Sequence, residues 1–119
     1  MALVYVCHPF SGAPGHHQSR VRAIARHLIS RGHVPLAMQL YLPSFIDEAT
    51  ERETALRLCL RLVALADEVW VFDSPTEGME AEIAEAERLG IPVLDASLEL
   101  IEDHPESGCL GAVLEEGTT

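Results

Sequence analysis

The stretch Asp67-Glu-Val-Trp-Val-Phe-Asp-Ser-Pro-Thr-Glu-Gly-Met79, continuing through Glu80–Leu89 to Gly90-Ile-Pro-Val-Leu94, decides the fold. Glu68–Asp73 is rich in β-branched and aromatic residues and reads as a buried strand. Ser74–Gly78 is turn chemistry. Met79–Leu89 sets Met79, Ile83 and Ala86 at helical spacing, and Gly90 is the stop. Ile91–Leu94 is a second short apolar run. Strand, turn, helix, glycine and strand in that order make a βαβ unit with parallel strands.

The same alternation extends upstream. Leu3–Cys7 is a short apolar run ended by His8-Pro9, as expected of a buried parallel strand. Ser19 is the expected N-cap of a helix over about Arg20–Ser30, which carries Val21, Ile24, Ala25 and Leu28 on one face and stops at Gly32. His33–Leu40 reads as a second strand with Val34, Leu36 and Met38 on one face, and Tyr41–Ala49 reads as irregular. A helix is expected over about Thr50–Ala66. Between Ala55 and Ala66 only Arg57 and Arg61 are polar, more apolar surface than one core-facing stripe needs, which points to a homo-oligomer through this helix. A further helix is expected near Ser97–Glu102. The fold class is therefore α/β: one doubly wound, flavodoxin- or Rossmann-like three-layer domain with a four- to five-stranded parallel sheet. It occupies residues 1–119, with an ordered core over about 2–103 and an acidic tail over about 104–119.

Composition agrees. The 119 residues are 48% apolar and 23% charged, enough for one core. No apolar run approaches the ~20 residues of a membrane span, and Met1 leads directly into the first strand without a basic leader, so a cytoplasmic protein without a membrane partner is expected. The net charge of −11, with no lysine, argues against polymeric nucleic acid as a partner. Most arginines lie in the first half and most carboxylates in the second, which leaves room for a small anionic ligand on the arginine-bearing side. Cys7, Cys59 and Cys109 lack CxxC spacing, so neither a disulfide framework nor a zinc knuckle is indicated.

In a doubly wound sheet, ligands bind beyond the carboxyl ends of the strands. Attention therefore falls on His8–Ser19, Gln39–Ala49 and Asp73–Gly78. Glu82 lies roughly 60° from the centre of the buried face of its helix at ~100° per residue, whereas Glu85 points toward water. In the opening turn, the positive end of the helix dipole favours the ionised form of Glu82 and suits it to be a nucleophile; a carboxylate there also simply stabilises the helix. The loop holding His8, Pro9, Ser11, Gly12 and Gly15 precedes a helix, where backbone N–H groups cradle phosphates, yet it serves equally as an ordinary turn. It lacks GxGxxG and GxxxxGK[ST], so no dinucleotide or P-loop cofactor is expected. Asp73 and Thr76 offer groups for sugar hydroxyls or phosphate, while Ser74 and Thr76 also suit a helix cap. Tyr5, if buried, needs a partner for its hydroxyl, either a carboxylate at the strand ends or a backbone carbonyl. His8, His16 and His17 keep no ligand spacing with a carboxylate, so no metal is expected. Cys7 reads as a buried strand residue.

Taken together, residues 67–93 and Val4-Tyr-Val-Cys-His-Pro-Phe-Ser-Gly12 resemble the nucleoside 2-deoxyribosyltransferase superfamily, and within it a branch with the signature Gly-Met-x-x-Glu-Ile-x-x-Ala. The nearest characterised relatives in size are the 2-deoxynucleoside 5′-monophosphate N-hydrolases. The resemblance implies that Glu82 attacks C1′ of 2-deoxyribose to form a covalent glycosyl-enzyme, and that Tyr5 positions Glu82. It makes Thr76 the counterpart of a hydrolase serine, a hydroxyl suited to phosphate. Two departures stand out: Ser11 replaces an arginine of the first loop, and Cys59 replaces an acidic residue. Arg20 or Arg22, placed at the start of the first helix, would supply the missing charge. The implied function is an N-glycosidase of 2′-deoxynucleosides or their 5′-monophosphates, with a nucleotide-sensing module as the alternative. The implied catalytic residues are Glu82 and Tyr5. His8, Pro9, Ser11, Gly12, Arg20, Asp73, Thr76, Gly78 and Met79 are the implied substrate contacts.

Overall fold

The computed structural model describes residues 1–9, 14–47 and 49–97. Its strands are β1 (Leu3–Cys7), β2 (Val34–Leu36), β3 (Glu68–Val71) and β4 (Val93–Asp95). Its helices are α1 (Pro14–Ser30), the single turn α2 (Met38–Tyr41) running into a 3-10 turn at Leu42–Ser44, α3 (Arg52–Val63) and α4 (Glu77–Leu89). The sheet is parallel throughout, in the order β2-β1-β3-β4. Tyr5 lies opposite Leu36 on one side and Val69 on the other.

Period-two alternation distributes β1 and β3 between two cores. Val4, Val6, Trp70 and Phe72 face α1 and pack with Val21, Ile24 and Leu28. Tyr5, Cys7, Val69 and Val71 face the other way and pack with Val63, Met79 and Ala86 of α3 and α4. Helices thus cover both faces, as in a doubly wound three-layer domain. Each fully buried aliphatic chain contributes about 1.5–3 kcal/mol. The order in which strands are added reverses between β1 and β3: β1 leads through α1 to β2 on one side, and β3 leads through α4 to β4 on the other. The crevice at that reversal is where such sheets bind ligands.

Element boundaries depart from expectation in instructive ways. α1 begins at Pro14, not near Arg20, so Ser19 is inside the helix and not its cap. Proline at a first helical position loses no bond, because the first N–H groups have no partner within the helix. β2 ends at Leu36, not Leu40, and Met38–Tyr41 turns helical. β2 is an edge strand containing Pro35, and a proline cannot donate to a ladder. Met38 thereby leaves the strand face and becomes buried on the α3–α4 side. The segment expected to be irregular includes the 3-10 turn at Leu42–Ser44. α4 starts at Glu77, two residues early, and ends at Gly90, whose φ of 77° is the left-handed conformation that glycine adopts without strain. The helix expected at Ser97–Glu102 lies almost wholly outside the described residues, and the acidic tail lies entirely outside them. Among the described residues no helix is long and apolar enough to cross a membrane.

Candidate active site at the carboxyl ends of β1 and β3

A cavity of about 570 Å³ opens beyond the ends of β1 and β3, within the range of small-molecule sites. Tyr5 and His8 contribute from β1 and the residue after it. Met38, Gln39, Leu42 and Ile46 form the α2 side, Arg52, Glu53, Leu56 and Cys59 the α3 side, and Thr76–Met79 with Glu82 the α4 side.

Glu82 is at its centre. Thr76 caps α4, its hydroxyl accepting from the Met79 N–H at 3.3 Å. That cap sets the start of the helix and turns Glu82 back over β1. The Tyr5 hydroxyl donates to Glu82 Oε2 at 3.0 Å, and the Cys7 thiol donates to Oε1 at 3.3 Å. Tyr5 and Cys7 are two apart on one strand, so both point to the same face and can flank one carboxylate. The Cys59 thiol, from α3, hydrogen-bonds the same carboxylate.

The electrostatics overturn one expectation. With α4 beginning at Glu77, Glu82 sits in its second turn, where the helix dipole has largely faded. Burial dominates and raises the Glu82 carboxyl above the ordinary range, opposed by the hydrogen bonds from Cys7, Tyr5 and Cys59. The group is more basic than an ordinary glutamate, not less. Burial, reinforced by the Glu82 charge, drives the Tyr5 hydroxyl and the Cys7 thiol upward, so both remain protonated donors. Cys7 is therefore a hydrogen-bond donor to the site, in addition to being a buried strand residue.

His8 is 3% exposed, and its Nδ1 lies 2.7 Å from the Pro9 carbonyl. Burial lowers its pKa, and its ring meets His17 edge-on at 5.4 Å. Gln39 ties α2 to the end of β1, its Nε2 donating to the carbonyls of Val6 and His8.

The structure brings Tyr5, His8, Thr76, Gly78, Met79 and Glu82 together in one cavity. It does not bring Arg20, Asp73 or Pro9 into the lining. Arg20 and Asp73 pair with each other at 2.9 Å. Asp73 holds a left-handed backbone at φ 75°, and its N–H donates to Ser97 Oγ at 3.0 Å. Arg20 is well inside α1, not at its start, and although outside the lining its charge acts on His8. Pro9 contributes its carbonyl to His8. Ser11 and Gly12 lie outside the described residues. Gln39 opens one of the loops that the sequence singles out, but the residue itself is not among the expected contacts; its signal is a lone amide in the apolar run Ala37–Leu42.

A family model described as a domain of unknown function, DUF7768, matches residues 2–96. No curated protein and no solved structure matches the chain.

Proposed function

The chain belongs to the DUF7768 family, and from the geometry of its site we propose that it is an N-glycosidase acting on 2′-deoxynucleosides or their 5′-monophosphates. The observation that carries this reading is one carboxylate, Glu82, turned into a cavity and held by the hydroxyl of Tyr5. A carboxylate fixed in this way is a preorganised nucleophile. Its oxygen bonds to C1′ as the C1′–N bond breaks, and the base leaves with the electron pair and takes a proton from solvent water. Water, or a second base, then attacks C1′ and restores the free carboxylate. Tyr5 and Cys7 hold the two oxygens apart and oriented throughout. The raised pKa of Glu82 makes it a stronger nucleophile once ionised and moves the acid side of its working range upward.

The test is release of free base, followed by chromatography, from a panel of deoxynucleosides and deoxynucleotides. Wild type is expected to release base, and Glu82→Ala to lose at least about a thousandfold in rate. No release by wild type across the panel, or equal release by the variant, refutes the assignment.

A nucleotide-sensing module without turnover is the second reading. It is favoured by the same upward shift of Glu82, which keeps the carboxyl protonated over a wider pH range. Thermal stabilisation by a nucleotide later recovered intact would select it.

A further inference from the structure

Two buried acceptors on cavity-lining residues have no donor among the described residues: His8 Nε2 and Gln39 Oε1. Their chemical identity follows from what their partner atoms do. The Gln39 amide nitrogen lies 3.2 Å from the Val6 carbonyl and 3.1 Å from the His8 carbonyl. Carbonyls only accept, so both amide protons are committed and the amide has one orientation, with Oε1 left over. His8 is fixed in the same manner. Its Nδ1 must carry the proton to reach the Pro9 carbonyl, so the neutral ring presents a lone pair at Nε2. Burial holds the imidazole neutral, consistent with that assignment. His17 Nδ1 is a third such atom, but His17 is outside the lining.

Buried acceptors in native proteins almost always have donors, because burial otherwise forfeits their bonds to water. No donor among the described residues reaches either atom, and a molecule bound in the cavity can supply one. The surrounding charge agrees on what kind of molecule brings it. Glu53, Glu77 and Glu82 line the cavity with a single arginine, Arg52, and Arg20 is engaged by Asp73.

We propose that His8 Nε2 and Gln39 Oε1 form a recognition pair for the hydroxyl donors of a neutral ligand, the sugar of a 2′-deoxynucleoside, and that the cavity discriminates against the 5′-monophosphate. The choice of ligand rests on the glycosidase reading; the demand for a donor does not. An ionised phosphate offers its oxygens chiefly as acceptors, so it sets lone pair against lone pair and negative charge against carboxylates. A sugar hydroxyl satisfies the pair. Both atoms are shielded from solvent, so water competes poorly for a bond formed there.

The test is calorimetric binding of the four common 2′-deoxynucleosides and their 5′-monophosphates to the Glu82→Gln chain, which separates binding from turnover. At least one nucleoside is expected to bind about tenfold or more tightly than its monophosphate. His8→Phe and Gln39→Met, which remove one acceptor each, are expected to weaken that nucleoside about tenfold and to leave the monophosphate no weaker, so that the preference narrows. His8→Asn, which restores an acceptor, recovers part of the loss, and circular dichroism confirms that each variant is folded. Equal or tighter binding of the monophosphate, unchanged nucleoside affinity in both apolar variants, or binding of neither class overturns the proposal. The two readings fail separately. Nucleoside binding that depends on His8, with no base released by wild type, removes the glycosidase and keeps the recognition pair. Base release that prefers monophosphates does the reverse.

Discussion

At Glu82, ionisation and stability pull against each other. Its carboxyl is raised by burial, so ionisation is harder in the folded chain than in the unfolded one. The sign follows. Stability is full below the ordinary glutamate pKa, where both states are protonated, and declines as pH rises from there through the raised folded value. Glu82→Gln removes that decline. The variant is expected to melt a few degrees above wild type at pH 8, with the gap closing below about pH 4, as thermal scans across pH would show. An unchanged gap at both ends would mean that burial does not govern the group. Tyr5→Phe deletes a donor that favours the charged form. It should lower kcat by about 10- to 100-fold, the worth of a hydrogen bond to a charged group, and move the acid limb of the rate profile to higher pH. Helical spacing alone placed Glu82 toward the strand ends, and the need of a buried hydroxyl for a partner anticipated Tyr5. The direction of the pKa shift was not readable, because it depends on how far inside the helix the carboxylate sits and on how much protein covers it.

α4 depends on its first residue outside the helix. Thr76 both caps it and lines the cavity. Thr76→Ala is expected to cost about 1 kcal/mol, a drop of about 4 °C or more in Tm. It should also lower activity, because the cap sets the angle at which Glu82 enters. Thr76→Ser, which keeps the oxygen, should restore both, and failure of serine to do so would show that the methyl packing matters more than the cap. The competing sequence readings of Thr76, cap and cavity group, both describe the structure. α1 and β2 were less readable. Where α1 begins depends on the chain entering it from β1. Met38 and Gln39 fit an alternating strand pattern, and only the edge position of β2 and its proline turn them out of the sheet.

For the whole molecule, the parallel sheet and its layering followed from the alternation of apolar runs and helical stripes, since short connections between parallel strands admit few other arrangements; the order β2-β1-β3-β4 is known from the structure. Charge was less informative. The arginines of the first half suggested an anion site, yet Arg20 is taken by Asp73 and carboxylates dominate the cavity lining. The apolar excess of α3 persists in the folded chain: Leu58 is 40% exposed and Leu65, just beyond the helix, is 57% exposed. A homodimer through this surface is the expected state, and Leu58→Glu with Leu65→Glu should yield a monomer by light scattering. A monomeric wild type at micromolar concentration would remove the prediction. The two-faced character of β1 has one more outcome. Tyr5 and Cys7 hold the Glu82 carboxylate while Val4 and Val6, in the alternate places, knit the opposite layer. Anyone reshaping this cavity would therefore find the central strand unforgiving, and would gain more freedom at the exposed lining residues Pro43, Arg52 and Glu53, which no buried cluster of the sheet includes.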